Sequence, residues 1–328
     1  MSPMSPMSPM SPESTLDTPG GPPVCLGLNH VALCVQQPDR TARLYGAGAG
    51  LQPWPAGSTL GLGAGAVPLC TPNAGLVLVP SAGGEPPAHR PVSEAGIAHL
   101  CLQTPAIGPV VRRLREQGAS LHSEPVDLGT GFLYCYARDP EHNVIEVECV
   151  APVWADPRPW LAHANIVTHD LRRLIGFYSA WLGVEAVRSR RLGNDARLDA
   201  IAALPGVQLR AAWLQAGNAQ IELMQYLEPA TTTATGRRAT GATGFAHLAF
   251  EVTDLRQACA HLQSCGGALD SPPQPRAWQA WARDPDGNRL LLLDLRDPDH
   301  AALRIQAMPE PHITQRFAAA REALLASA

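Results

Sequence analysis

Apolar and polar positions repeat along the chain in four similar blocks. Each block opens with an apolar residue, a spacer and a histidine, and continues as a short run typical of a β-strand; the four histidines are His30, His99, His163 and His247. Histidine accounts for 11 of 328 residues, so four aligned copies by chance are on the order of one in a million before any choice of alignment. The pattern indicates one module repeated four times.

The pattern within a block predicts a helix after the first strand and then three more strands. Asp170 and Asp254 stand where N-caps are expected, ahead of apolar residues at helical spacing. Gly118 and the pair Gly266–Gly267 are expected to end two of the helices. The last strand of modules two, three and four is predicted at residues 144–150, 219–227 and 289–295. Each module therefore reads βαβββ.

A second repeat shows how the modules are grouped. The segment Ala137–Asn143 (ARDPEHN) matches Ala282–Asn288 (ARDPDGN), and it occurs only in modules two and four. We therefore predict an α+β protein in which a pair of modules is duplicated. The expected parts are a disordered Met-Ser-Pro-rich tail (1–23), a first domain (24–150, modules 26–80 and 96–150), a second domain (158–297, modules 160–228 and 244–296) and a helical appendage (298–328).

Composition excludes several functions. The net charge is -4 and charged residues make up 16% of the chain, so a nucleic-acid surface is not expected. Lysine is absent, which excludes Schiff-base, pyridoxal and P-loop chemistry. The eight cysteines form no CxxC pair, which favours reduced thiols in the cytoplasm. No apolar run approaches a membrane span of roughly 20 residues. We expect a cytoplasmic monomer or homodimer that does not contact membranes.

The repeated histidines and the segment Asp139-Pro-x-x-Asn-x-x-Glu146 resemble the vicinal oxygen chelate superfamily, which includes glyoxalase I, epimerases, extradiol dioxygenases and bleomycin-resistance proteins. The resemblance covers roughly residues 26–296, and the stretch around Glu222 looks like the epimerase-type members. It implies βαβββ modules paired into curved half-barrel sheets. One fold of this kind carries many chemistries, so it does not settle the reaction.

The resemblance also implies two metal-facing positions in each module, one on the first strand and one on the fourth. The residues at these positions here are His30, His99, Glu146, His163, Glu222 and His247. Spacing places Val77 and Leu291 at the two remaining positions, so modules one and four lack the carboxylate. Imidazole and carboxylate ligands suit Zn, Ni, Co, Mn or Fe(II).

Three functions follow from the resemblance. The first is a metal-dependent isomerase or lyase that chelates the vicinal oxygens of a small substrate and moves a proton through an enediolate or enolate, with Glu222 and Glu146 as the candidate bases. The second is an Fe(II) extradiol-type dioxygenase that uses His30, His99 and Glu146. The third is a non-catalytic small-molecule binder whose pocket is lined by tryptophans.

The pairing of the modules decides which residues meet. Neighbour pairing gives two three-ligand sites, one with His30, His99 and Glu146 and one with His163, Glu222 and His247. Swapped pairing joins modules two and three and brings His99, Glu146, His163 and Glu222 together. We favour neighbour pairing, because a module pair is duplicated and because the link from Val150 to Trp160 is short.

Overall fold

The computed structural model describes residues 24–83, 87, 89–129, 131–151, 158–189, 191–233 and 241–305. The predicted tail (1–23) and most of the predicted appendage lie outside the described residues. Module one contains β1 (Cys25–Val35), α1 (Pro38–Arg43), β2 (Gln52–Pro53), β3 (Val67–Cys70) and β4 (Gly75–Pro80). Module two contains β5 (Gly96–Thr104), α2 (Ile107–Glu116), β6 (Ser120–Leu121), β7 (Val126–Asp127), β8 (Leu133–Arg138) and β9 (Val144–Cys149).

Modules three and four repeat this order. Module three contains β10 (Trp160–Val167), α3 (Leu171–Leu182), β11 (Val187–Arg188), β12 (Leu192–Gly193), α4 (Ala196–Ala202), β13 (Gln208–Ala216) and β14 (Ala219–Glu228). Module four contains β15 (Gly244–Val252), α5 (Leu255–Ser264), β16 (Ala268–Leu269), β17 (Gln279–Arg283) and β18 (Arg289–Asp294). The expected α+β class is confirmed. In two helices the predicted caps form, since the carboxylates of Asp170 and Asp254 accept from Arg173 N and Gln257 N at 3.0 Å.

The modules pair as two and three, and as one and four. Modules two and three form one sheet, which we call the inner sheet because its modules are the inner two along the chain; its order is β11-β13-β14-β10-β5-β9-β8-β6. Modules one and four form the other, which we call the outer sheet; its order is β16-β17-β18-β15-β1-β4-β3-β2. The predicted neighbour pairing is therefore wrong. The neighbour pairing does not form because β5 pairs antiparallel with β10, and β1 with β15. Each sheet is therefore joined through the first strands of its two modules. The short link from Val150 to Trp160 connects modules two and three directly, so its length is compatible with the pairing of these two modules.

Strand alternation divides the side chains between two kinds of core. The convex faces of both sheets carry apolar residues that pack under the helices in one continuous core, with Leu174, Tyr178, Trp181 and Phe250 among its buried members. Two smaller apolar clusters line the concave faces, one in each sheet. The histidines of the repeat lie on these concave faces, so each paired sheet surrounds its own interior.

Two asparagines join the two sheets. Asn73, in the β3–β4 turn of the outer sheet, donates to Leu161 O (2.8 Å) and Asn218 O (2.9 Å) and accepts from Leu161 N (3.0 Å). Asn218, in the β13–β14 turn of the inner sheet, makes the corresponding bonds to Leu28 and Asn73. Both side chains are buried, so these bonds fix how the sheets lie against each other.

Replacing Asn73 by Ala is expected to lower the free energy of unfolding by about 3 kcal/mol, because three buried hydrogen bonds contribute about 1 kcal/mol each and their backbone partners lose them together. Urea unfolding of the two proteins measures this difference. Thr232→Ala, at an exposed position whose backbone bonds to Ser93 and Ala95 stay in place, is the control and should shift stability by less than about 0.5 kcal/mol. An equally small change for Asn73→Ala would show that these bonds do not hold the sheets together.

Candidate metal centre

The register of the inner sheet brings the repeat positions of modules two and three to one point. His99 lies opposite Asn165 and His163 lies opposite Cys101 across the β5–β10 pair. The parallel neighbours β9 and β14 place Glu146 beside Cys101 and Glu222 beside Asn165. Each glutamate therefore lies beside the residue that follows the histidine of its own module by two positions, and its side chain is on the concave face. All four side chains are buried.

Four side-chain atoms converge there. His163 Nε2 is 2.9 Å from Glu146 Oε2 and 3.0 Å from Glu222 Oε2. His99 Nε2 is 3.2 Å from Glu146 Oε2, 3.4 Å from Glu222 Oε2 and 3.4 Å from His163 Nε2. Ligand atoms bonded to one ion at about 2.1 Å lie roughly 3.0–3.4 Å apart. The spacing therefore fits a single cation held by two imidazoles and two carboxylates.

The charges of the cluster fit a cation as well. Burial would raise the pKa of Glu146, but His163 and His99 outweigh it and lower this pKa to about 2. Burial likewise would lower the pKa of His163, but Glu222 and Glu146 raise it to about 10. Glu146 Oε2 still makes no hydrogen bond of good geometry. Two buried carboxylates need compensating positive charge, and a divalent ion that displaced the proton of His163 would supply it.

Neighbouring side chains hold the cluster in place. Asn165 donates from Nδ2 to Glu222 Oε2 at 3.0 Å, which fixes that carboxylate. Tyr136 and Trp213 lie across the strands from Glu146 and Glu222, respectively, and the Tyr136 ring centroid is 5.0 Å from that of His99. The surrounding apolar cluster includes residues of α4, which covers the concave face. An apolar surrounding of this kind strengthens the electrostatic interactions among the four side chains.

In the outer sheet the two remaining histidines face each other without a carboxylate among the described residues. His30 Nε2 and His247 Nε2 are 3.2 Å apart. The register places Val77 and Leu291 where the inner sheet has its glutamates, as the spacing predicts. His30 Nδ1 is 2.9 Å from Asn29 Oδ1, so His30 donates there and its Nε2 accepts from His247. Burial lowers the pKa of His30 to about 3 and holds that of His247 well below its usual range.

This neutral pair predicts a loss of stability in acid. A histidine whose pKa is lower in the folded than in the unfolded protein contributes fully above about pH 6.5, and its contribution falls as the pH drops toward 3. Between pH 7 and pH 5 the loss is about 2 kcal/mol per histidine. We expect His247→Leu to reduce the fall in unfolding free energy over this interval by about that amount, as measured by urea unfolding at both values. His169→Ala, at an exposed position, should leave the fall unchanged; a wild-type fall in His247→Leu would contradict the assignment.

The structure thus brings together four of the six predicted ligands and separates the other two. Neither predicted three-ligand set forms, since His30 and His247 belong to the outer sheet. The three tryptophans suggested for a binding pocket are also divided, with Trp213 in the inner apolar cluster and Trp278 and Trp281 in the outer one. Sequence reasoning missed Asn165. Its position two residues after His163, equivalent to Cys101, was the available signal.

The inner sheet is a pair of βαβββ modules, and the histidines of their first strands and the glutamates of their last strands point into one interior. This arrangement is typical of a known protein superfamily. The chain belongs to the Glyoxalase/Bleomycin resistance protein/Dioxygenase superfamily, whose model matches residues 27–147 and 160–292. No curated protein matches this sequence. No helix among the described residues is long and apolar enough to cross a membrane.

Solved structures show the same fold at low identity. Glyoxalase I from Zea mays is 17% identical, with a TM-score of 0.58, over 82% of this chain and 92% of that chain. A putative dioxygenase from Bacillus subtilis subsp. subtilis str. 168 is 15% identical, with a TM-score of 0.55, over 90% of this chain and 96% of that chain. The two are similar in fold and carry different names, so the reaction is argued from the site.

Proposed function

We propose that the inner sheet is the active site of a metal-dependent isomerase or lyase of the glyoxalase and epimerase kind. The observation that carries the proposal is the convergence of two imidazoles and two carboxylates in a buried, apolar interior. A divalent ion held by two imidazoles and two carboxylates would suit a substrate with two neighbouring oxygens. His99, Glu146, His163 and Glu222 would hold the ion.

A bound divalent cation would polarise the substrate oxygens and lower the cost of removing a proton from the adjacent carbon. The residues of the chain then have separate tasks. Glu146 and Glu222 are placed on opposite modules and can take a proton from one carbon and return one to its neighbour. Asn165 fixes the orientation of Glu222 by its hydrogen bond. The apolar wall with Tyr136 and Trp213 excludes water, which protects an enediolate or enolate from side reactions.

The dioxygenase alternative loses part of its support. The set considered for it was His30, His99 and Glu146, and His30 lies in the other sheet, bonded to His247. The inner cluster has two carboxylates where a facial triad has one. We therefore retain proton transfer as the proposed chemistry and use oxygen consumption as the measurement that separates the two.

Conservative replacement of the glutamates tests the proposal. Glu146→Gln and Glu222→Gln keep an oxygen at each ligand position, so the proteins should still bind metal, but a base is lost. We expect at least one variant to lower the rate of solvent-deuterium exchange into α-hydroxycarbonyl and hemithioacetal substrates by about 10²–10⁴-fold. Proton NMR of the metal-loaded protein measures the exchange.

Glu251→Gln provides the matched control, since Glu251 is a buried glutamate of the outer sheet; this variant should exchange protons at the wild-type rate. If no member of the substrate panel exchanges its proton, and the Fe(II)-loaded protein consumes oxygen with catechols, the dioxygenase function replaces the proposed one. If the metal-loaded protein does neither, the third function considered, small-molecule binding without catalysis, becomes the better description.

A further inference from the structure

The internal repeat gives a direct comparison between two arginines, one buried (Arg138) and one half-buried (Arg283). Arg138 ends β8 in the inner sheet, and Arg283 ends β17 in the outer sheet, each just before an Asp-Pro turn. Their surroundings agree: Arg138 donates to His142 O (2.7 Å), and Arg283 donates to Gly287 O (3.2 Å). The two guanidinium groups therefore occupy equivalent positions in modules two and four.

The partner of the Nε atom differs between them. Arg283 Nε donates to the carboxylate of Asp270 at 2.8 Å. Asp270 directly follows β16, and the residue that directly follows β6 is His122. His122 N bonds to Tyr136 O, and Asp270 N bonds to Trp281 O, both at 2.9 Å. A histidine thus replaces the aspartate, and Arg138 Nε donates to His122 Nε2 at 2.9 Å.

This replacement removes the counter-charge. The His122 Nδ1 atom is 2.9 Å from Ile201 O and must donate to it, so its Nε2 accepts from Arg138 and the ring is neutral. The other acceptors of Arg138 among the described residues are backbone carbonyls, those of His142 and Arg90. Among the described residues no carboxylate lies within ion-pair distance of Arg138, although its side chain is buried. A buried charge of this kind normally has a partner.

The nearby carboxylates are already engaged. Asp139, whose charge acts on Arg138, accepts from Glu141 N, Asn143 N and Asn143 Nδ2. Glu94 forms an ion pair with Arg90. Glu141 accepts from the backbone N–H groups of Gln36 (2.7 Å) and Gln37 (2.8 Å), ahead of α1. The guanidinium of Arg138 carries five N–H groups, and three of them donate to described residues; each terminal nitrogen has one further N–H beyond these bonds.

Arg138 also lines a cleft at the end of β8. Its walls include Arg90, Glu94 and Glu141 as well as apolar residues such as Val92 and Val144. Both valines belong to the apolar cluster that surrounds the inner site. Tyr136, two residues before Arg138 on the same face of β8, lies against His99. A step of two residues along a strand is roughly 7 Å, so the backbone of Arg138 lies about that far from the backbone of Tyr136.

We propose that Arg138 binds an anionic group, a carboxylate or a phosphate, carried by the substrate a few bonds away from its vicinal oxygens. The proposal rests on the function proposed for the inner site and names the class of its substrate: a small anionic oxygenated compound. His122 keeps the guanidinium oriented without neutralising it, and the substrate supplies the counter-charge that Asp270 supplies in the outer sheet.

Replacing His122 by Asp tests this directly, because it installs the pair that Arg283 and Asp270 already form in the same chain. Inorganic phosphate and acetate serve as the probes, titrated separately by calorimetry into the full-length protein. We expect wild-type protein to bind at least one with a millimolar Kd, and His122→Asp and Arg138→Gln to weaken that binding by about tenfold or more. Arg283→Gln is the matched control in the outer sheet and should stay within about twofold.

His163→Ala separates this proposal from the proposed function. If the anion binds at Arg138, it should bind His163→Ala as tightly as wild type, whether or not that variant holds metal. Binding that is lost in His163→Ala and kept in His122→Asp would place the anion on the metal and overturn the proposal. Equal binding in wild type, His122→Asp and Arg138→Gln, or no binding of either probe to wild type at 50 mM (about ten times the expected Kd), would overturn it too. Thermal unfolding confirms that each variant is folded.

Discussion

One divalent ion per chain is the expected result when the purified protein is loaded with Zn, Mn, Co, Ni or, without oxygen, Fe(II). Only the inner sheet has carboxylates beside its histidines, and the outer sheet has Val77 and Leu291 instead. Removing an imidazole ligand should cost more than the 10–100-fold that loss of a supporting residue costs. His163→Ala is therefore expected to weaken metal binding by more than about 100-fold, as measured by competition with a chromophoric chelator.

His247→Ala is the matched control, because it removes the equivalent buried histidine of the other sheet. Its metal content should remain one ion per chain. Two ions in the wild-type protein, or a loss of metal in His247→Ala as large as in His163→Ala, would show that the outer pair is also a metal site. Less than a tenth of an ion per chain after loading with every metal would contradict the metal centre itself.

Chelation should lower the thermal stability strongly. An ion that binds only the folded protein stabilises it by about 4 kcal/mol when its free concentration is a thousand times its Kd. For domains of this size each kcal/mol changes Tm by about 2–4 °C, so removing the ion should lower Tm by about 8–16 °C. Calorimetry of the loaded protein and of protein dialysed against a chelator measures this shift.

His163→Ala controls this experiment as well, since its Tm should not respond to added metal at the same free concentration. Asn165→Ala gives an intermediate case: it leaves all four ligands present but frees Glu222, so its Tm should rise less on loading than that of wild type. An identical Tm for loaded and chelated wild-type protein would mean that the cluster is stable without a cation and would contradict the prediction.

The repeats and the metal-facing positions could be predicted from the sequence because they depend on local spacing. His99 and Glu146 are 47 positions apart, as are His30 and Val77, and the matching Asp-Pro segments align Leu291 with Glu146. The register confirms that Val77 and Leu291 occupy the carboxylate positions. The strand periodicity also gave the correct faces, since one residue of shift would have turned Glu146 away from the interior.

The pairing of modules could not be predicted in the same way, because it depends on which first strands meet. All four first strands are similar in sequence, so local pattern does not choose between β5–β10 and β5–β1. Two signals favoured the observed pairing. Both missing carboxylates belong to modules one and four, and the connection between Cys149 and Trp160 is shorter than those from Pro80 to Gly96 and from Glu228 to Gly244.

The sequence alone also does not predict that a histidine stands beside Arg138 where an aspartate stands beside Arg283. His122 and Asp270 are distant from the aligned motifs, and their equivalence appears only when β6 and β16 are compared through their register with the arginine strands. A lone histidine in a loop has no spacing that marks it. Its meaning comes from the arginine whose charge it leaves unbalanced, which is a property of the folded chain.

The order in which the strands pair also sets the order in which the protein can be assembled during synthesis. Every strand of the inner sheet lies between residues 96 and 228, so the half that carries the His/Glu cluster is complete once that stretch has left the ribosome. The first strand, Cys25–Val35, must wait for Gly244–Val252, more than 200 residues later. Until then its apolar edge has no partner strand on that side, and such edges are sites of aggregation. The half whose strands are completed last has Val77 and Leu291 at the carboxylate positions and an interior lined by leucine and tryptophan.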